Sequence, residues 1–478
     1  MPNPLTERIL RAARLTILLF VLTGASLVGA TDYYVATDGS DAAAGTLEAP
    51  FGTIAHGLAA ATQPGDTVWV RGGLYLPTTG QTMIFAGTAE APITLSAFPG
   101  ERPIIDGTHM PDGTPGLYIN TSYVVVRGFE VRNAKSQGIS VFGSSSRVHH
   151  VEIRDNVVHD SWMGGIYVGW QDIINRPHDV LVAGNLIYRN AQINRTKPHT
   201  SWPIASGSGP ARRVRYLNNT IYDNWGEGLT FFLTEECEAR GNTLHDNFSV
   251  QLYLDNASHC LLADNFAYST GNPDFFRFDQ PATGIMIANE TYPFSNPSRD
   301  NTVINNVLVG NNRAIRYGSY QEGGGLVNTL IAHNTAYGAT GGLVEIDLDA
   351  GHSNSQIRNN VFVQTAGQAV TWIDQPITGL TFDHNLWFGG FVLPAVTGPT
   401  DLLTAADFVA PGGTDALAYR LRPGSAGLDA GVGLVAVPTD YRGILRASPP
   451  DLGAFEVTLL FRDGFESGDA NAWTLTFP

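Results

Sequence analysis

Nine asparagines recur along the chain, each followed by an apolar residue or threonine and then by an apolar residue. They are Asn156, Asn185, Asn219, Asn242, Asn265, Asn306, Asn334, Asn360 and Asn385, at intervals of 29, 34, 23, 23, 41, 28, 26 and 25 residues. Uneven intervals, mostly in the twenties, with short alternating runs between them, fit a β-solenoid and not helical repeats. One coil cannot bury its apolar face alone, so stacking must build the core. Asparagines at one turn of successive coils can bond to each other and to backbone, forming a ladder. The fold expected is all-β, a right-handed parallel β-helix (solenoid) of about ten coils, closed by an N-terminal capping helix. A left-handed β-helix would need a six-residue pattern that is absent.

The distance from each ladder Asn to the next strand adds a second constraint. It is 10 residues for Asn156–Ile166, Asn219–Leu229, Asn242–Leu252, Asn334–Val344 and Asn360–Val370, and 9 for Asn306–Ile315. Two coils break the rule, with 19 residues for Asn185–Ile204 and 20 for Asn265–Ile285. The two insertions, 195–203 and 272–283, should stand on one side of the solenoid and wall a groove. Its floor would be the two coils between them. Alternation turns Leu229, Phe231, Leu252 and Leu254 inward, and Thr230, Phe232, Gln251, Tyr253 and Asp255 outward. Trp225 and Glu227 enter the floor at a Gly-rich turn, where Glu227 should be exposed. Arg316, Glu345 and Thr371 continue the outward row, with Arg316 and Glu345 paired across coils.

The chain carries 44 acidic and 28 basic residues, a net charge of −16, and only two lysines, Lys135 and Lys197. Such a surface does not suit nucleic acid. Against this background the stretch Arg189–Arg215, which includes the first insertion, has six basic residues and no Asp or Glu. It could face an acidic substrate. Cys237 and Cys260 each lie five residues before a ladder Asn and so should be neighbours. Side chains stacked about 4.8 Å apart favour a reduced pair over a disulfide. The pairs His159-Asp160 and His245-Asp246 recur at one point of the coil and read as turn chemistry.

The N-terminus has Arg8, Arg11 and Arg14 before an apolar run and a small-residue cleavage pattern at Val28-Gly29-Ala30, as in a secretory signal. The organisation expected is a signal peptide at 1–30, an N-terminal cap and first coils at 31–110, and β-helix repeats at 111–395. A closing segment at 396–457 and a tail at 458–478 follow. No integral membrane segment remains after cleavage, and the product is expected to be a secreted or cell-surface monomer.

The stretch DYYVATDGSDAAAGTLEAPFGTIAHGLAAATQPGDTVWVRGGLY resembles the opening of secreted right-handed parallel β-helix proteins, including the family 9 pectate lyases. YRLRPGSAGLDAGVG and DYRGILRASPPDLGAFEV are similar to the close of choice-of-anchor Q domain proteins. The resemblance implies the fold and a polysaccharide substrate. The Asp-Asp-Gly-Trp-Asp run of the lyases is absent, so no catalytic residue is carried over.

The residues then point to a polysaccharide-acting protein that cleaves an acidic glycan by β-elimination. Lys197, His199, Tyr253 and Arg277 are the catalytic candidates. Arg195, Trp202, Trp225, Thr230 and Arg316 are the substrate-binding candidates, with Trp162 and Trp170 as further sugar platforms. Glu227 and Asp255 are the metal candidates, for a Ca2+ ion completed by carbonyl and substrate oxygens. The alternative is a non-catalytic glycan-binding or surface-structural β-helix.

Overall fold

The computed structural model describes residues 29–143, 148–169, 173–196, 202–292, 297–321, 323–365 and 367–457. The expected signal peptide up to residue 28, the tail at 458–478, Trp170, Lys197 and His199 lie outside them. The described chain winds into three parallel sheets of 14, 11 and 12 strands. Between the two ends of each sheet, successive strands pair with their counterparts one coil earlier and one coil later, and the coils wind as a right-handed parallel β-helix. The short helix Ile54–Ala60, capped by the Thr53 hydroxyl, packs Ile54 and Leu58 against the first coils. It covers strand edges that would otherwise be open.

The asparagine repeat is the spine of this fold. From Asn156 to Asn385 each Nδ2–H donates to Oδ1 of the next Asn, at 2.9–3.1 Å. The same Oδ1 also accepts the backbone N–H one coil back, as from Asn219 to Asn242 at 2.9 Å. These side chains are almost wholly buried, so each amide must be satisfied within the protein. A second ladder runs five residues later, where Asn190 donates to Asn224 at 3.2 Å and Asn224 to Asn247 at 2.8 Å. The core between the sheets is aliphatic and aromatic, with Val180, Tyr216, Leu229, Phe231, Leu252, Leu254 and Ile285 at 0–1 % exposure.

Three sequence expectations are corrected here. Cys237 and Cys260 form a disulfide, because their Cα atoms approach to 4.4 Å at this turn, closer than the regular strand spacing. Thr371 faces inward at 2 % exposure, opposite Val344, and Trp372 takes the outward place opposite Glu345. A register shift of one residue exchanges the two faces of a strand. Gln251, expected to face outward, is fully buried, and its Oε1 accepts from Asn247 at 2.7 Å. The second ladder draws it in.

Candidate functional site

The strands Glu227–Phe232, Val250–Asp255 and Thr283–Asn289 are among the longest of their sheet. Their register sets Thr230 beside Tyr253 and Tyr253 beside Met286, with Phe232 beside Asp255. Above them lies a groove of about 1010 Å³, lined by Trp202, Glu227, Thr230, Tyr253, Asp255 and Arg277 among others. Trp202 and Ile204 come from the end of the first insertion, and Arg277 to Thr283 from the second. The insertions touch, since the Arg277 guanidinium stands 3.3 Å from the Trp202 ring centroid.

Glu227 is 7 % exposed, against the expectation of an open turn. Its flanking glycines serve close approach and not a left-handed turn. A Cβ on Gly226 would meet the Pro203 carbonyl at 2.6 Å, and one on Gly228 the Gln251 carbonyl at 2.6 Å. The neighbouring coils therefore close over this segment and carry the carboxylate under cover.

Three acids and two tyrosines converge in the groove. Thr230 donates its hydroxyl to Glu227 Oε2 at 2.9 Å. Tyr253 donates to Glu290 Oε1 at 2.7 Å, and the Tyr292 hydroxyl lies 2.8 Å from Glu290 Oε2 and 3.2 Å from Asp255 Oδ2. A single hydroxyl carries one proton and cannot satisfy both carboxylates at once. Asp255 Oδ1 is buried with no hydrogen-bond partner. Burial, aided by Glu290 and Glu227, pushes the Asp255 carboxyl up to about 8. Burial, opposed by the Thr230 bond and aided by Glu290, pushes Glu227 up to about 7. The Tyr253 and Tyr292 phenols are driven well upward, first by burial and then by these acids. The cluster can therefore hold and move protons near neutral pH.

The cations of the groove differ in availability. Arg313 and Arg316 both bind Glu345, the latter at 3.0 Å, and Arg316 also reaches Asp347 at 3.7 Å. Arg277 forms no ion pair among the described residues. Its Nη1 donates to Ser249 Oγ at 3.1 Å, and burial draws its pKa down.

Of the residues singled out from sequence, Tyr253, Arg277, Trp202, Thr230, Arg316, Glu227 and Asp255 all line this groove. Trp225 does not. It is 8 % exposed, packed on Phe275, with its indole N–H on the Asp274 carbonyl at 3.2 Å. Arg195 lies over Trp225 at 5.4 Å and bonds Gln192, away from the floor. The basic stretch is not an open patch either. Arg189 pairs with Asp160, Arg212 with Glu236, Arg213 with Asp179 and Arg215 with Glu238. Parallel stacking brings acids from other coils to a segment that has none of its own. Glu290 and Tyr292 were missed. Ile285 lies 21 residues before Asn306, where Leu252 lies 13 before Asn265. That excess marks a further loop after the strand, and both residues sit at its start.

The groove acids do not fit a preformed calcium site. Hydroxyls of Thr230, Tyr253 and Tyr292 bond Glu227 and Glu290, and the donor atoms of Glu227, Asp255 and Glu290 do not all lie within 4.8 Å of one another. Among the described residues one group of three has donor atoms all within 4.8 Å, namely Asp223, His245 and Asp246. It lies at turns following the 12-stranded sheet, and Asp246 is engaged by His245 and by Thr270. Calcium prefers six to eight oxygens, so this mixed set is also incomplete.

With fold and groove defined, the chain can be set beside known proteins. Residues 33–196 match a model described as the Pel9A-like right handed beta helix region, and residues 201–335 match one described as the right handed beta helix region. Pectate lyase PEL9 of Emericella nidulans is 49 % identical over 86 residues, 18 % of this chain and 20 % of that one. The alignment thus spans about one fifth of the fungal protein. The uncharacterized protein YwoF of Bacillus subtilis is 27 % identical over 429 residues, 78 % of this chain and 84 % of that one. The crystal structure of pectate lyase Pel9A superposes with a TM-score of 0.56 at 20 % identity, over 90 % of this chain and 96 % of that one. The class is that of the right-handed parallel β-helix proteins. Among the described residues no helix is long and apolar enough to cross a membrane.

Proposed function

We propose that the groove binds an acidic glycan and cleaves it by β-elimination. One observation carries the reading: Arg277, which has no carboxylate partner among the described residues, shares the groove with three acids, two with pKa values pushed up to about 7 and about 8. A uronate must have its carboxylate neutralised, lose the proton at C5, and have its leaving oxygen protonated. Arg277 serves the first need by pairing with the carboxylate. Asp255, through its unpartnered Oδ1, takes the C5 proton. Tyr253, held in place by Glu290, breaks that hydrogen bond and gives the same proton to the leaving oxygen as charge develops there, which leaves the phenolate to be reprotonated from solvent. The electrons of the C5–H bond form the new C4–C5 double bond as the C4–O bond breaks. The Pel9A-like match over residues 33–196 and the 86-residue likeness to a pectate lyase support a polymer of this kind. Calcium, where it acts, would arrive with the substrate carboxylate, since the groove acids do not converge on one point.

The test is to incubate the purified protein with polygalacturonate, alginate and glycosaminoglycans, with and without calcium, and follow the ultraviolet absorbance of unsaturated products. The expected result is unsaturated product with a rate that rises through about pH 8, as Asp255 loses its proton. New reducing ends without unsaturation would replace elimination by hydrolysis. Binding without cleavage would leave a glycan-binding solenoid. Asp255→Asn should remove turnover. If Asp255→Asn retains it while Lys197→Ala does not, the base is the loop lysine.

A further inference from the structure

The outward row of the groove does not stop at its wall. Tyr253 is level with Met286, Met286 with Arg316, Arg316 with Glu345, and Glu345 with Trp372. The strand Thr371–Ile373 alternates cleanly, with Thr371 at 2 %, Trp372 at 60 % and Ile373 at 8 % exposure. The indole therefore stands on the outer face of the sheet that forms the groove floor. Among the described residues no aromatic ring and no arginine covers it. Trp225 is buried on Phe275, while Trp202, 55 % exposed, carries Arg277 on its ring, and Trp162 is 48 % exposed. Along this row Tyr253 and Met286 are buried and Arg316 is paired with Glu345, so Trp372 is the member whose apolar face is open to water.

We propose that Trp372 is the platform of a distal subsite, which stacks a sugar ring of the same glycan chain whose reacting unit lies at Asp255. The proposal rests on the glycan reading above and extends it from one reacting unit to a chain. Four strand steps separate Tyr253 from Trp372, about 19 Å along the solenoid axis. That distance is several sugar units, so only a long chain reaches both. The row between them carries the Arg316–Glu345 pair at 3.0 Å, with Glu345 itself 9 % exposed. A glycan running over it meets paired charge in the middle and an apolar face at the end. The C–H face of a pyranose matches that apolar face, with the hydroxyls and carboxylate left to the rim.

The experiment is calorimetric binding of an oligouronide size series in an Asp255→Asn background, where cleavage does not confuse the titration. Affinity is expected to climb by about tenfold once the oligomer is long enough to span from the reacting position to Trp372, the usual order for one good stacking contact. Trp372→Ala should abolish that climb, and Trp372→Phe should restore part of it, since the smaller ring still stacks. A climb that persists in Trp372→Ala overturns the subsite, as does a parent protein that binds long and short oligomers alike. The two readings separate in their failures. Length-dependent binding without any unsaturated product from the wild type would leave the subsite standing and remove the cleavage. Failure to bind any oligouronide would remove both.

Discussion

The Arg277 guanidinium lies 3.3 Å from the centroid of the Trp202 ring, which joins two insertions 75 positions apart in sequence. A cation seated on an indole face is held by the ring quadrupole, and more firmly when both are partly shielded from water. Phe278 and Phe248 add weaker contacts at 4.7 and 5.8 Å. The arrangement fixes the one groove arginine that has no acidic partner among the described residues. Arg277→Gln should raise KM for an oligouronide by roughly ten- to a hundredfold, the scale of a charged hydrogen bond. Trp202→Ala should give a smaller rise in KM, because the arginine keeps its charge and loses its seat. Steady-state kinetics on both variants, repeated at low and high salt, check this. The salt dependence of the wild type should largely disappear in Arg277→Gln.

The ladder predicts a stability effect far from the groove. Asn242 gives its amide to the Tyr216 carbonyl at 2.9 Å and to Asn265 at 3.0 Å, and accepts from Asn219 at 2.9 and 3.0 Å. Asn242→Ala strands buried donors of Asn219 that cannot reach water. The expected loss is about 3 kcal/mol or more. Chemical denaturation measures it, with Asn218→Ala, at the more exposed neighbouring position, as the comparison.

These two cases mark what was legible in the sequence. The ladder was readable because a side chain bonded to its own copy needs the same residue in every coil. The 10-residue rule located both walls because an insertion changes a spacing without disturbing the repeat. Burial was not readable. Glu227 sits in a turn that looks open, and only the approach of Pro203 and Gln251 closes it. The basic stretch looked unpaired because its acids belong to other coils. Thr371 was placed outward because the count from Asn360 runs one residue out of step there, enough to exchange faces. Glu290 and Tyr292 had a signal in the long interval to Asn306, but nothing in the sequence says which residues of a loop turn back to the floor.

Metal removal offers a third test. If the groove acids hold protons and not a resident calcium ion, a chelator should leave the thermal midpoint of the free protein unchanged. A ligand that binds only the folded state raises stability by mass action, so a resident ion would show as a fall on chelation. A fall removed by Glu227→Gln or Asp255→Asn would assign a calcium site to these acids. A fall abolished instead by His245→Ala would assign the ion to Asp223, His245 and Asp246.

The groove acids should also make stability depend on pH, with a sign that follows from their shifts. Glu227 and Asp255 have ordinary values of 4.5 and 3.8 and are pushed up to about 7 and about 8 in the folded protein. Between these limits the folded state binds more protons than the unfolded chain, so stability falls as pH rises. The fall should begin above about pH 4 and be complete once both folded values are passed, near pH 8. Asp106 works in the opposite window. The Thr108 hydroxyl, Arg132 and Asn133 outweigh its burial and hold it at about 2, so its contribution is present at neutral pH and is lost only in strong acid. Burial also raises Asp223, Asp264, Asp451 and Glu456, so the groove's share of the alkaline loss is the difference between the wild type and Asp255→Asn or Glu227→Gln. The shifts correspond to roughly 3 kcal/mol for Glu227 and roughly 6 kcal/mol for Asp255, before relaxation of the site reduces both figures. Asp255→Asn cannot ionise, keeps the shape, and should be more stable than the wild type at about pH 9 while gaining little at about pH 5. Thermal unfolding of the wild type, Asp255→Asn and Glu227→Gln across this range decides it. A wild-type midpoint that stays level from pH 5 to 9, about four units, would mean that these acids titrate as exposed carboxyls do, and the proton-holding role of the groove would go with it.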